Sequence, residues 1–111
     1  MNADRYDPDL AAAMAEAWAA ERTPQARDRL AATAWPMCRM AALSERKNRG
    51  LPAHMVPDLE MDAAVGLMRA IDRWDPTVGP FGPYAWRRCQ GAILDAMREG
   101  DHLSRDHRRK V

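Results

Sequence analysis

At 111 residues the chain has the length of one domain with one modest core. Its composition, 47% hydrophobic and 30% charged with a formal net charge of +1, is that of an ordinary soluble protein. Overall charge therefore neither favours nor excludes nucleic acid, and only its distribution can. No stretch approaches the roughly 20 apolar residues that a bilayer crossing needs.

The opening MNADRYDPDL carries Asp4, Asp7 and Asp9 and lacks the apolar centre of a signal peptide. Cys38 and Cys89 form no CxxC pair and fall inside helical patterns. Reduced thiols in a cytoplasmic protein are the expected reading. Sustained alternation is absent and β-branched residues are scarce, so an all-α fold is predicted. Helices are expected at about 8–21, 25–46, 57–74 and 83–99, with a fifth beginning near 104. Pro8 and Pro24 suit first turns. Pro36 should kink or divide the second helix. Asn48 to Pro52 reads as a loop, and Asp75-Pro76 with Gly79-Pro80 stops the third helix.

Periodicity assigns the core. Leu59, Ala63, Gly66, Leu67, Ala70, Ile71 and Trp74 share one helix face. Ala85, Cys89, Ala92, Ile93, Ala96 and Met97 do the same on the next helix, and Leu30, Ala34, Met37 and Ala41 on the second. Three such stripes close on one another as a small helical bundle. Gly66, Ala70 and Ala92 would permit close helix contact.

Two faces remain once the core is used. On the third helix Met61, Ala64, Val65 and Met68 make a second apolar row, edged by Asp58, Asp62, Arg69 and Asp72. From Asp58 to Asp75 five acids stand against two arginines. An apolar strip with an acidic rim suits a basic helical partner. A helix covered on two sides by its own bundle would show the same row. On the fourth helix Tyr84, Arg87, Arg88, Gly91, Leu94 and Arg98 lie opposite the core stripe. Arginines hold phosphates and rings receive unstacked bases, so this face suits a single nucleic-acid strand. The alternative is a solvated face and a basic tail, with Phe81 and Trp86 as core anchors.

The stretch Asp58 to Arg98 also resembles the second region of bacterial RNA polymerase sigma factors, the sigma-70 family, in its flagellar, sporulation and stress branch. The resemblance rests on Asp58-Leu59, Gly66-Leu67-Met68, Ala70-Ile71-Asp72, Asp75-Pro76, Phe81, Tyr84-Ala85 and Gly91-Ala92-Ile93-Leu94-Asp95 followed by Arg98. It implies an N-terminal helix and linker over 1–24, a region 2-like domain over 25–103, and the start of a region 3-like helix or basic tail over 104–111. It implies that the third helix holds the clamp helices of the largest subunit of core RNA polymerase through Asp58, Leu59, Asp62, Val65 and Met68. It further implies that Phe81, Tyr84, Trp86, Arg87, Arg88, Gly91, Leu94, Arg98 and Arg105 contact the non-template strand of promoter DNA at the minus-ten element and start its opening.

Departures from the family pattern are also visible. One residue is missing between Gly79 and Phe81, Val78 replaces a common arginine, and Pro83 replaces a common threonine. Met61, Asp62 and Ala64 stand where many members have Gln, Glu and Asn. The chain ends at Val111, so no helix-turn-helix for an upstream element is expected within it. Two origins are compatible with that expectation: a phage or mobile element, or one half of a split sigma factor whose upstream-reading domain is a separate chain. The rival expectation is a competitor that occupies the clamp helices without opening DNA. His54, His102 and His107 do not have metal-ligand spacing, no phosphate-binding glycine loop is present, and no paired carboxylates suggest catalysis. No enzyme activity, metal or cofactor is predicted.

Overall fold

The computed structural model describes residues 5–100, so Arg105, His102, His107 and the expected helix near 104 lie outside the described residues. Every element within them is helical: α1 (Pro8–Glu21), α2 (Pro24–Ala34), α3 (Pro36–Arg49), α4 (Val56–Arg73) and α5 (Phe81–Arg98), with single 3-10 turns at Ala53–Met55 and Pro76–Val78. The protein is an all-α bundle.

Local chemistry sets the limits. Asp7 and Thr23 cap α1 and α2, accepting from Leu10 N and Ala26 N at 3.1 Å each, and a proline follows each cap. The single helix expected over 25–46 is two. Pro36 has no N–H to continue the ladder, and the chain passes Trp35 in a tight turn closed by Cys38 N to Trp35 O at 2.9 Å. Gly50 ends α3 in the left-handed region at φ 64°, its N–H on Arg46 O. Helix α5 begins two residues before the expected start. Pro83 lies inside its first turn, where backbone N–H groups have no intrahelical partner and a proline costs nothing in hydrogen bonds.

Helix α4 is central, packed most extensively on α5 and then on α3. The predicted stripes meet there: Leu30, Leu59, Leu67, Ile71 and Ile93 are fully buried. At Gly66 the approach is closest, since an added Cβ would fall on the backbone carbonyl of Arg88 and 2.9 Å from Ala92 Cβ. We expect Gly66→Ala to lower stability by about 1–2 kcal/mol in urea unfolding. Overlap with a backbone atom outweighs the roughly 1 kcal/mol that alanine gains in helix propensity. A variant as stable as the parent would contradict this packing.

Helices α1 and α2 close the remaining side. Trp18 Nε1 donates to Ile71 O at 2.8 Å, and Arg22 donates to Trp74 O at 3.3 Å, so two carbonyls near the α4 terminus are satisfied by α1 and its cap. Arg22 is the one non-glycine residue with positive φ among the described residues, at 51°. Its guanidinium lies over the Trp18 ring at 4.5 Å, a contact that offsets the backbone strain. Arg27 grips Asp72 with two bonds of 2.8 and 3.0 Å, tying α2 to α4 and holding the Asp72 carboxyl below its usual range. Tyr6, ahead of α1, packs against the core near Gly82, and burial raises its phenol above the ordinary value.

Candidate functional site

The bundle presents the two faces on adjoining helices. On α4, Met61 is 64% and Val65 47% exposed. Asp58, Asp62 and Met68 are half-buried, Met68 against the core. These side chains leave an apolar ridge with carboxylates along it. Leu59 is different. It is fully buried, because it leads the core stripe, and it supports the ridge from beneath without reaching a partner. Ala64 is buried as well, so the exposed row is Met61, Val65 and part of Met68.

On α5 the predicted strip divides in the same way. Tyr84 is half-buried, with the Arg88 guanidinium 5.4 Å from its ring centre. Arg87 and Arg88 are exposed, while Gly91 and Leu94 are half-exposed beside them. A Cβ at Gly91 would meet nothing within 4 Å, so this glycine leaves open space on the face. Arg98 is exposed but bonded to Asp95 on its own helix, and a phosphate would have to compete with that carboxylate. Trp86 packs on the core from the opposite edge of α5.

Phe81 is only 2% exposed, which removes it from the surface offered to bases. The cause is the turn. Trp74 ends α4 and donates its indole N–H to Gly79 O at 3.0 Å. Its ring meets Phe81 edge-on at 5.5 Å and 81°. Asp75 Oδ1 accepts from Thr77 N and Thr77 Oγ1, both at 2.9 Å, and these bonds hold its carboxyl below the usual range. Gly79, at φ 134° and ψ −176°, has a backbone that suits glycine alone. The short connection folds tightly, drawing Phe81 under the Trp74 ring and leaving Val78 exposed at the tip.

Two residues that sequence reasoning did not place on the nucleic-acid face complete it. Arg69 and Arg73 of α4 share a cleft of about 160 Å³ with Arg87, Arg88, Gly91 and Asp95 of α5. Four arginines from two helices thus line this cleft together with Asp95, whose carboxylate is bonded to Arg98. Their i, i+4 spacing beside Gly66, whose lack of a side chain marks the flank facing α5, was the available signal. Next to this cleft lies a groove of about 280 Å³ with Asp62, Val65, Asp95 and Glu99 along it. The apolar ridge and the arginine cleft are therefore neighbours. Among the described residues no helix is long and apolar enough to cross a membrane.

Residues 50–102 match the family model for Sigma-70 region 2. RNA polymerase sigma factor FliA of Salmonella typhimurium is 40% identical over 78 residues, which cover 68% of this chain and 32% of the relative. The FliA proteins of Escherichia coli K12 and Yersinia enterocolitica are 38% and 37% identical over the same length, covering 32% and 33% of those relatives. The chain spans about a third of the length of the curated relatives it matches. No solved structure matches it.

Proposed function

Since the chain belongs to the sigma-70 family through its region 2, we propose that it acts in transcription initiation, docking on the clamp helices of core RNA polymerase through α4 and taking the non-template strand at the minus-ten element on α5. It works in the cytoplasm. The observation that carries this reading is the adjacency of the Met61–Val65–Met68 ridge and the Arg69–Arg73–Arg87–Arg88 cleft on helices in contact at Gly66. A ridge with carboxylates suits a basic helix. Arginines around a cleft suit backbone phosphates, and the Tyr84 ring beside them suits a base taken from the stack.

Opening needs that ring. Unstacking a base costs a few kcal/mol, and an aromatic platform offsets about 1–3 kcal/mol of it. Tyr84→Ala should therefore reduce promoter opening, measured by permanganate reactivity of exposed thymines, by roughly 5- to 100-fold. Affinity for core polymerase should stay unchanged. Equal opening by the variant would remove Tyr84 from the reaction.

The burial of Phe81 favours a second reading, in which the chain occupies the clamp helices as a competitor and opens no DNA. Added to host holoenzyme, a competitor depresses transcription and crosslinks to polymerase alone. An initiator crosslinks to the non-template strand as well.

A further inference from the structure

Helix α3 carries an exposed face that the function proposed above does not use. Trp35, Met40 and Leu43 are 44%, 45% and 43% exposed. Met40, Leu43 and Lys47 recur at i, i+3 and i+7 and so share one stripe. Trp35 stands at its head, where Pro36 opens the helix, and Arg39 lies along its edge. Arg39 and Lys47 are both exposed. The one acid of α3, Glu45, is buried and bonded to Arg49 at 2.9 Å, so α3 edges this stripe with cations. The α4 ridge is its inverse, with Met61, Val65 and part of Met68 edged by Asp58 and Asp62. Met40 to Lys47 and Met61 to Met68 are also stretches of equal length, about 10 Å of helix each.

We propose that the α3 stripe of one molecule docks on the α4 ridge of a second copy, so that the chain associates with itself head to tail. Charge selects this pairing. Two α3 stripes face to face would set Arg39 and Lys47 against their own kind, and two α4 ridges would do the same with Asp58 and Asp62. The crossed arrangement puts cations against carboxylates while the apolar centres lose water together. It leaves an α4 ridge open at one end and an α3 stripe at the other, so the contact is heterologous and further copies add as concentration rises. Two or three apolar side chains on each face bury less than the roughly 1,600 Å² of a standard interface, which makes the association weak and reversible. On the function proposed above, a copy whose ridge is covered is withheld from polymerase, but the association itself does not depend on that reading.

The test is sedimentation equilibrium of the full chain, with no polymerase present. Average mass should rise with protein concentration, half of the chains being associated at on the order of 100 µM. Added salt should lower it in part, by screening the ionic edges. Leu43→Asp and Val65→Asp should each weaken the association about 100-fold, because each strands a carboxylate in an apolar contact. Mixed one to one, the two variants should pair again and stop at two chains. The Leu43→Asp chain keeps its α4 ridge and the Val65→Asp chain its α3 stripe, and the rescue shows that both remain folded. Lys47→Glu, a change at an exposed site that leaves the fold alone, should weaken the parent's association about 5-fold. A parent chain that stays monomeric at every attainable concentration would overturn the proposal. So would a loss with one aspartate variant and not the other, which is the mark of like faces meeting, or folded variants that fail to pair when mixed.

Discussion

Truncating Trp74 to alanine should cost about 3–5 kcal/mol, enough to bring a chain of this size to the edge of unfolding. The ring is buried, stands edge-on to Phe81, and reaches Gly79 O with its indole N–H, while its carbonyl accepts from Arg22. Alanine keeps only the last of these and leaves a cavity where the end of α4, the turn and the start of α5 meet. Trp74→Phe isolates the hydrogen bond. It retains most of the packing and strands the Gly79 carbonyl, costing about 1–2 kcal/mol beyond the small loss of volume. Urea unfolding followed by circular dichroism measures both. An alanine variant losing under 1 kcal/mol would mean that the turn does not depend on this ring. Equal losses for Ala and Phe would assign the effect to the hydrogen bond.

Val65→Asp should weaken binding to core RNA polymerase by about 100-fold or more while leaving the fold intact. Val65 is partly exposed beside the more exposed Met61, so the free protein can hydrate a carboxylate there and its stability should change by no more than about 0.5 kcal/mol. A docked helix removes that water. Stranding a polar or charged group in an apolar contact costs about 3 kcal/mol, which is the 100-fold. Met68→Asp is the poorer probe, because Met68 packs partly on the core and its loss mixes folding with binding. Titration of labelled protein with core enzyme, beside an unfolding curve, reads both quantities. Unchanged affinity would remove the α4 ridge from the interface.

The core was legible because helical periodicity reports burial directly. Leu59, Ala63, Gly66, Leu67, Ala70, Ile71 and Trp74 were read as one face, and all are buried. Periodicity does not say which neighbour covers a flank. That is why Ala64 was placed in the exposed row although it is buried, and why Arg69 was read as the rim of a docking strip when it also lines the cleft on α5. Pro36 was legible as an interruption, and the structure shows two helices. The helix expected from 83 starts at Phe81, because a proline in a first turn breaks nothing. Leu59 and Phe81 were drawn into the site by motif matching, but each has a single side chain and the core uses it. For Phe81 the deciding quantity was the length of the turn, whose consequence appears only when Trp74 is set above it.

At Gly66 the two central helices meet main chain against main chain, with nothing compressible between them. A joint of that kind behaves as one beam. Whatever tilts α4 as a partner seats on it carries the guanidinium groups of α5 through the same rotation. On the proposed function, the orientation in which polymerase holds one helix would then also be the angle at which the other is aimed at DNA.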